Sequence, residues 1–259
     1  MSKFSSPYFS VILCTNVIND YFFLAVNSIL KQTFSDFEFL IIANGDKSLE
    51  SSFLSFDVRD DRISFYCTNI RQLGFNLNYG INLAKGKYIV RMDADDISCL
   101  SRLEKLFSCC ASMSPDIVGS WARLIDENNC YVGELKPPTD NISIRRQLPY
   151  RNVLIHPSVA IKREVLLHAS GYLGDLYAED YDLWLRLSRE KSYVFINLPE
   201  YLLEYRIHKD QSKGRRLSYA SAAACVYRQF LIKPSLTFFL ASVFKFSLFF
   251  LYSILRKMK

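Results

Sequence analysis

The chain has 259 residues, of which 50% are hydrophobic and 22% are charged, and its net charge is +6. This length allows one large domain with a buried core, or two small ones. The excess positive charge is modest and concentrated at 205–216 and at the C-terminus. Because no nucleic-acid-binding motif accompanies it, we expect no nucleic-acid partner. The seven cysteines lack the spacing of a disulfide framework or a zinc site.

The first part of the chain alternates between short apolar runs and segments with helical spacing. Strands are predicted at 8–15, 37–44, 63–68 and 86–93, and helices at 21–32 and 77–85. This alternation indicates a mostly parallel α/β sheet with helices on both faces. Ligands bind such sheets at the carboxyl ends of the strands, where polar residues follow the second and fourth strands.

Beyond residue 100 the pattern is less regular. Helical spacing occurs at 101–113 and 177–190, and strand-like runs occur at 115–126, 156–161, 192–198 and 202–208. No internal repeat or low-complexity linker interrupts the chain. We therefore divide it into one domain, residues 1–215, and a C-terminal helical segment, residues 216–259.

Three carboxylates follow the fourth predicted strand within four residues: Asp93, Asp95 and Asp96. Carboxylates this close repel one another unless a cation lies between them. Mg²⁺ or Mn²⁺ usually takes one or two protein carboxylates together with substrate phosphates. Acidic turns also occur without an ion, and Asp96 could instead cap the following helix. The spacing alone leaves both interpretations open.

The longer stretches around these carboxylates resemble the family 2 glycosyltransferases. The resemblance is carried by "NSILKQTFSDFEFLIIANGD" (27–46), "NIRQLGFNLNYGINLAKGKYIVRMDADDI" (69–97), "HPSVAIKREVLLHASGYLG" (156–174) and "AEDYDLWLRL" (178–187), in this order within 8–210. It implies the GT-A fold, a Rossmann-like sheet, and inverting transfer of a sugar from a nucleotide donor that usually carries uracil.

The resemblance also implies roles for individual residues on the donor side. Thr15, Asn44 and Asp46 would contact the nucleoside. The family usually has an aspartate pair where this chain has Ala43 and Asn44. The amide oxygen of Asn44 can still accept a hydrogen bond from a uracil N–H, although it brings no charge.

A metal site and a phosphate-binding group follow from the same resemblance. Asp93 would lie near the donor ribose and the metal, and Asp95 would hold the ion that bridges the two phosphates. His208 matches a histidine that approaches the metal or the phosphates, and Arg206, close to it in the sequence, is expected to help bind the donor diphosphate. The expected cofactor is therefore Mn²⁺ or Mg²⁺, bound by Asp93, Asp95 and His208.

The catalytic residues are expected in the last of the matching stretches. Asp180 matches the general base of the family, and Glu179 stands beside it. A single base and an in-line displacement invert the anomeric carbon. The same acidic residues would also suit the start of an amphipathic helix, and we interpret Asp182 as a solvated or capping charge.

The C-terminal segment contains 21 mostly apolar residues, 235–255, interrupted by Lys245. The length suits a membrane span, but a charge at its centre is costly. The polar residues gather on one side of a helical wheel, which predicts an amphipathic helix on the inner face of the cell membrane. Arg256, Lys257 and Lys259 would contact anionic headgroups. A dimerisation helix is the alternative, and transfer to a soluble acceptor should not need this segment.

Together these features predict a cytoplasmic, peripheral membrane enzyme. It would move a hexose or N-acetylhexosamine from a UDP-sugar to a saccharide on a polyprenyl diphosphate, in O-antigen-like surface polysaccharide synthesis. One alternative is a nucleotidyltransferase, but the first strand lacks a glycine-rich phosphate loop. The other is a non-catalytic sugar- or lipid-binding scaffold, against which the presence of Asp93, Asp95 and Asp180 argues.

Overall fold

The computed structural model describes residues 6–45, 48–54, 59–174, 177–208 and 216–255. The strands are β1 (Phe9–Thr15), β2 (Phe37–Asn44), β3 (Ile63–Thr68), β4 (Tyr88–Asp93), β5 (Ile97–Ser98), β6 (Ile117–Ile125), β7 (Tyr131–Leu135), β8 (Ala160–Lys162) and β9 (Phe195–Arg206). The helices are α1 (Asp20–Leu30), α2 (Ser48–Leu54), α3 (Leu73–Leu83), α4 (Arg102–Met113), α5 (Asn141–Gln147), α6 (Arg163–His168), α7 (Glu179–Leu187), α8 (Arg216–Ile232) and α9 (Leu236–Leu255).

The nine strands form one mixed sheet in the order β3-β2-β1-β4-β8-β6-β9-β5, with β7 paired to β6. The first four strands are parallel, as their alternation with helices predicts. The short strand β8 then runs antiparallel to both β4 and β6, and β9 runs parallel to β6. The predicted α/β class and GT-A-like architecture are confirmed, and the antiparallel pairings are confined to the second half of the chain.

Strand β9 corrects one prediction. The sequence indicated two separate strand-like runs around Pro199, but the structure has one strand through both. The pairing with β6 shifts register here, so that Ser120 faces Leu198 and Trp121 faces Tyr201. A proline has no N–H for the ladder, and a bulge lets the strand pass such a residue without ending.

The sheet separates two apolar cores. Along β1, Phe9, Val11 and Leu13 face the core that contains Phe22 of α1 and Leu103 of α4. Ile12 and Cys14 face the opposite core, which contains Trp184 of α7 and Val226 of α8. This alternation follows from the two-residue period of a strand. The second core also includes Ala241 of α9, so both C-terminal helices contribute to the interior.

Helices α8 and α9 form a hairpin beside α7. On α9, Ser242 is buried and the ammonium of Lys245 lies 5.0 Å from the centroid of the Tyr181 ring, so the polar side of the helix faces the protein. The opposite side exposes large apolar side chains at Leu236, Phe239, Leu240, Val243, Phe244, Phe246, Phe250, Leu251 and Ile254. Residues Leu236–Ile254, with a mean hydropathy of 1.7, are long and apolar enough for a membrane span by length and composition.

Candidate active site

A cavity of about 670 Å³ opens at the carboxyl edge of the parallel strands. The strand ends lie level with one another, because Cys14 of β1 pairs with Asp93 of β4 and Thr15 pairs with Ala43 of β2. The predicted residues that line the cavity are Thr15, Asn44, Asp93, Asp95 and His208. The sequence did not single out Tyr21, Arg71, Arg91 or Glu127, which line it as well.

The acidic turn after β4 concentrates negative charge at the cavity. One oxygen from each of Asp93, Asp95 and Asp96 lies within 4.8 Å of the others. Burial raises the pKa of Asp93, although Arg91 opposes this shift. Burial, together with the charges of the other two carboxylates, raises the pKa of Asp96 well above its usual range. Among the described residues, Asp96 Oδ2 is buried without a hydrogen-bond partner. This donor set fits a divalent cation that prefers oxygen ligands.

Arg91 is an active-site residue that the sequence reasoning missed. It lies on β4, two residues before Asp93 and on the same side of the strand, and its guanidinium forms an ion pair with the Asp93 carboxylate. The side chain of Arg91 is only 3% exposed. A lone cation inside the apolar run "YIVRMD" was the available signal, since a buried charge normally needs a partner.

His208 and the acidic turn are brought together as the resemblance implied. The Nε2 atom of His208 lies 3.0 Å from Asp95 Oδ2, and both side chains are about one-third exposed at 29% and 32%. The contact joins the end of β9 to the turn that follows β4. Carboxylate oxygens suit Mg²⁺ and Mn²⁺, and an imidazole nitrogen such as that of His208 can add a ligand for a transition-metal ion.

Arg206 occupies a different position from the predicted one. It is fully buried and does not line the cavity. Its Nε donates to the carbonyl of Asp95 at 2.8 Å, and its backbone N–H donates to Asp96 Oδ1 at 2.8 Å. Its Nη1 and Nη2 atoms donate to the carbonyl of Asp126 and to Asn129 Oδ1, each at 2.7 Å. Arg206 therefore holds the acidic turn from the protein interior and does not line the cavity.

Asp180 and Glu179 form a carboxylate pair in the first turn of α7. Asp180 Oδ2 accepts a hydrogen bond from Asn152 Nδ2 at 2.8 Å, and Asp180 Oδ1 accepts one from the Tyr181 N–H at 2.6 Å. Burial raises the pKa of Asp180, although these hydrogen bonds oppose the shift. Burial and the neighbouring Asp180 raise the pKa of Glu179 to about 7. Glu179 therefore remains largely protonated below about pH 7.

The pair on α7 does not line the cavity, but it interacts electrostatically with the acidic turn. The negative charge of Asp93 contributes to the raised pKa of both Glu179 and Asp180, so these groups lie within electrostatic reach of one another. Asn152 was missed by the sequence reasoning, because the hydrogen bond to Asp180 joins residues 28 positions apart. No local pattern signals such a contact.

Two donor-side predictions have less support from the geometry. The Thr15 hydroxyl donates to the carbonyl of Val17 and also accepts from the Val17 N–H, which commits it to a local turn. Asp46 lies outside the described residues, as do the tail cations Arg256, Lys257 and Lys259.

Comparison with known proteins identifies the family. Residues 10–166 match the family described as "Glycosyl transferase family 2". The O-antigen biosynthesis glycosyltransferase WbnJ of Escherichia coli is 39% identical over 240 residues, which cover 92% of this chain and 94% of that protein. The UDP-Gal:alpha-D-GlcNAc-diphosphoundecaprenol beta-1,3-galactosyltransferase of Escherichia coli is 27% identical over 81% of this chain and 78% of its own length.

A solved structure gives independent support for the fold. The mannosyltransferase PcManGT from Pyrobaculum calidifontis, in complex with GDP-Man and Mn²⁺, superposes with a TM-score of 0.69 at 15% identity. The match covers 95% of this chain and 70% of that one. The family match and the relative that is 39% identical together show that the chain belongs to glycosyl transferase family 2 and is a glycosyltransferase.

Proposed function

We propose that this enzyme moves a hexose or N-acetylhexosamine from a UDP-sugar to a saccharide on a lipid diphosphate during synthesis of an O-antigen-like polysaccharide. The observation that carries the reaction is the arrangement of two acidic groups, the turn after β4 and the pair on α7, within electrostatic reach of each other. The relatives named for O-antigen biosynthesis and for a diphosphoundecaprenol acceptor support the pathway and the acceptor class.

On the donor side, Asp93, Asp95 and His208 would hold Mn²⁺ or Mg²⁺. Such an ion stabilises the negative charge that develops on the diphosphate leaving group. The carboxylate oxygens within 4.8 Å of one another and the neighbouring imidazole support this assignment. Arg91 offsets part of the charge of Asp93, which limits repulsion in the turn. Asn44 lines the same cavity and can accept the uracil N–H, and we propose that Thr15 and Asp46 complete the nucleoside contacts.

On the acceptor side, Asp180 takes the proton of the attacking hydroxyl. The oxygen of that hydroxyl forms a bond to the anomeric carbon while the bond to the diphosphate breaks, so UDP leaves and the configuration inverts. Asn152 orients the Asp180 carboxylate through the hydrogen bond to Oδ2. Glu179 keeps its proton below about pH 7 and so leaves Asp180 as the charged member of the pair.

The apolar face of α9 supports a place at the inner face of the cell membrane. Each large side chain that is buried in lipid contributes about 1.5–3 kcal/mol. The Tyr150 ring contacts the Phe244 ring, with 6.2 Å between centroids, and Asn152 follows two residues later. The apolar helix therefore lies beside the loop that contacts the base. A lipid-linked acceptor could keep its chain in the bilayer while its sugar reaches Asp180.

The test is transfer by purified full-length protein, with a panel of UDP-sugars and synthetic lipid-diphosphate saccharides. We expect incorporation of one sugar into the lipid product with release of UDP, and loss of that product in Asp180→Asn. Release of diphosphate from a nucleoside triphosphate and a sugar phosphate would instead identify a nucleotidyltransferase. No turnover of any donor would identify a scaffold.

A further inference from the structure

Asp182 connects the helix that carries the proposed base to the C-terminal hairpin. The sequence suggested a solvated or capping charge, but the Asp182 carboxylate is fully buried. Its Oδ2 accepts from Arg186 Nε at 2.8 Å within α7, and its Oδ1 forms an ion pair with the guanidinium of Arg228 on α8. The prediction was wrong because the second cation lies 46 residues away in the chain.

The neighbouring residue, Tyr181, makes a second connection to the hairpin. The ammonium of Lys245 on α9 lies 5.0 Å from the centroid of the Tyr181 ring, a distance typical of a cation–π contact. On its other side, the Tyr181 hydroxyl donates to the carbonyls of Leu148 at 2.8 Å and Pro149 at 3.0 Å. The two residues after Asp180 are thus fixed between the hairpin and the loop that contains Asn152.

These contacts have a consequence for the position of the base. A buried carboxylate that loses one of its cations is strongly destabilised, so the turn around Asp182 must shift or take up water when Arg228 is absent. Asp180 precedes Asp182 by two residues in that same turn. Because a misplacement of 1 Å in a catalytic group can reduce the rate by about 100-fold, the turn must be held accurately.

We infer that Arg228 and Lys245 are positioning residues for the base, and that the C-terminal hairpin belongs to the catalytic unit as well as to the membrane-facing surface. The inference rests on the proposed function, since it takes Asp180 as the base. It reverses the expectation that transfer to a soluble acceptor does not need this segment.

The experiment measures sugar transfer by point variants of the full-length protein to a short soluble acceptor, in the absence of vesicles. We expect Arg228→Gln to lower kcat by at least about 10-fold, because the base is displaced. The UDP affinity, measured by calorimetry, should stay within about two-fold, since neither Arg228 nor Asp182 lines the donor cavity. Arg228→Lys should recover part of kcat, and Lys245→Met should lower kcat in the same direction.

Arg216→Gln is the matched control. It removes the same charge from the same helix, but the Arg216 guanidinium lies 5.6 Å from the Phe249 ring and so contacts the hairpin itself. We expect wild-type kcat for this variant. Equal kcat values for Arg228→Gln and Arg216→Gln would overturn the inference. So would a parallel fall of kcat and UDP affinity, which would indicate general loss of structure.

Two further outcomes separate this inference from the function on which it rests. If Asp180→Asn keeps its activity, the base is misassigned and the proposed function fails at that point. If Asp180→Asn is inactive while Arg228→Gln and Lys245→Met match the wild type, the base assignment holds and the positioning role fails. Lys245→Met keeps the test decisive if Arg228→Gln does not fold, because it removes the charge near Tyr181 and retains the apolar stem: wild-type kcat in this variant would then overturn the inference.

Discussion

At the scale of single residues, burial and immediate neighbours give adjacent carboxylates different properties. Glu179 and Asp180 are next to each other in the chain, yet Asp180 accepts two hydrogen bonds that favour its charged form. Glu179, with its pKa raised to about 7, remains largely protonated below that pH. Such a separation of two pKa values is a frequent way of assigning one base within an acidic pair.

Substitutions in this pair should separate the two roles. Asp180→Asn should reduce kcat by about 100-fold or more, because an amide cannot take the proton, while UDP affinity stays nearly constant. Glu179→Gln imitates the protonated glutamate and should keep most of the activity. Steady-state kinetics and UDP calorimetry on both variants check this. Full activity in Asp180→Asn together with loss in Glu179→Gln would move the base to Glu179.

The same pKa shifts predict a pH profile. The base must be ionised, so the rate falls as the pH drops through its pKa. Because burial raises the pKa of Asp180, the midpoint of this acid limb should lie above the ordinary aspartate value of 3.8. Profiles of kcat/KM between pH 4 and 9 measure it, and a limb at or below 3.8 would contradict the buried environment of Asp180.

The proposed metal site allows a test that does not depend on turnover. Mn²⁺ should raise the Tm of the wild-type protein, because a ligand that binds only the folded state stabilises it. Asp95→Ala should abolish both this rise and the transfer activity. Its Tm without metal should not fall, since one of three mutually repelling carboxylates is removed. Full wild-type activity in the presence of a chelator would remove the metal from the mechanism.

At the scale of elements, β9 links the acidic turn after β4 to the rest of the sheet. Arg206 at its end holds the turn after β4 and the turn after β6 through bonds to Asp95, Asp126 and Asn129. The side chain of Arg206 is itself fully buried, so the groups that accept its hydrogen bonds compensate its charge and donors inside the protein. Loss of such buried donors costs about 1–3 kcal/mol for each group left unpaired.

Arg206→Met should therefore lower stability by about 2–4 kcal/mol in chemical denaturation. Arg216→Met, an exposed substitution of the same type, should change it by less than about 0.5 kcal/mol. The affinity of this variant for UDP distinguishes the two possible roles of Arg206, which are support of the acidic turn and direct contact with the donor phosphates. A large loss of UDP affinity in Arg206→Met with unchanged stability would favour the phosphate contact that the family resemblance implied.

The limits of prediction from sequence also appear at this scale. Strand ends such as Asn44 and Asp93 were predictable, because an apolar run that stops at a polar residue marks the edge of a parallel sheet. The ion pair of Asp182 with Arg228 and the hydrogen bond of Asp180 with Asn152 were not, since they join residues 46 and 28 positions apart. Periodicity predicts which side of an element is buried, but not which distant element covers it.

At the scale of the whole molecule, the hairpin places a large apolar surface on one side of the enzyme. Leu240 and Phe250 on α9 are 48% and 59% exposed, so glutamate at these positions should not disturb the interior. The double variant Leu240→Glu/Phe250→Glu should lose most binding to anionic vesicles in flotation. Ile142→Glu on α5, where the side chain is 79% exposed, should float like the wild type.

Salt and oligomeric state distinguish the alternatives for this surface. Added salt should weaken vesicle binding only in part, because it screens headgroup attraction but not apolar burial. Equal flotation of the double variant and the wild type would contradict the membrane role. A concentration-dependent dimer that the double variant abolishes, without any vesicle binding, would favour the dimerisation alternative.

The contact between Lys245 and Tyr181 also bears on the distance between Asp180 and the membrane surface proposed for α9. The residue that follows the base touches the protein side of α9, and the opposite side of α9 carries the apolar surface. Because a helix is about 10–12 Å in diameter, the proposed base would lie roughly one helix diameter above the bilayer surface. A lipid-linked chain with only one or two sugars could place its terminal hydroxyl at that height. If α9 lies on the bilayer and the acceptor is lipid-linked, as proposed, the enzyme would act at an early step in the assembly of the oligosaccharide, while the growing chain is still short.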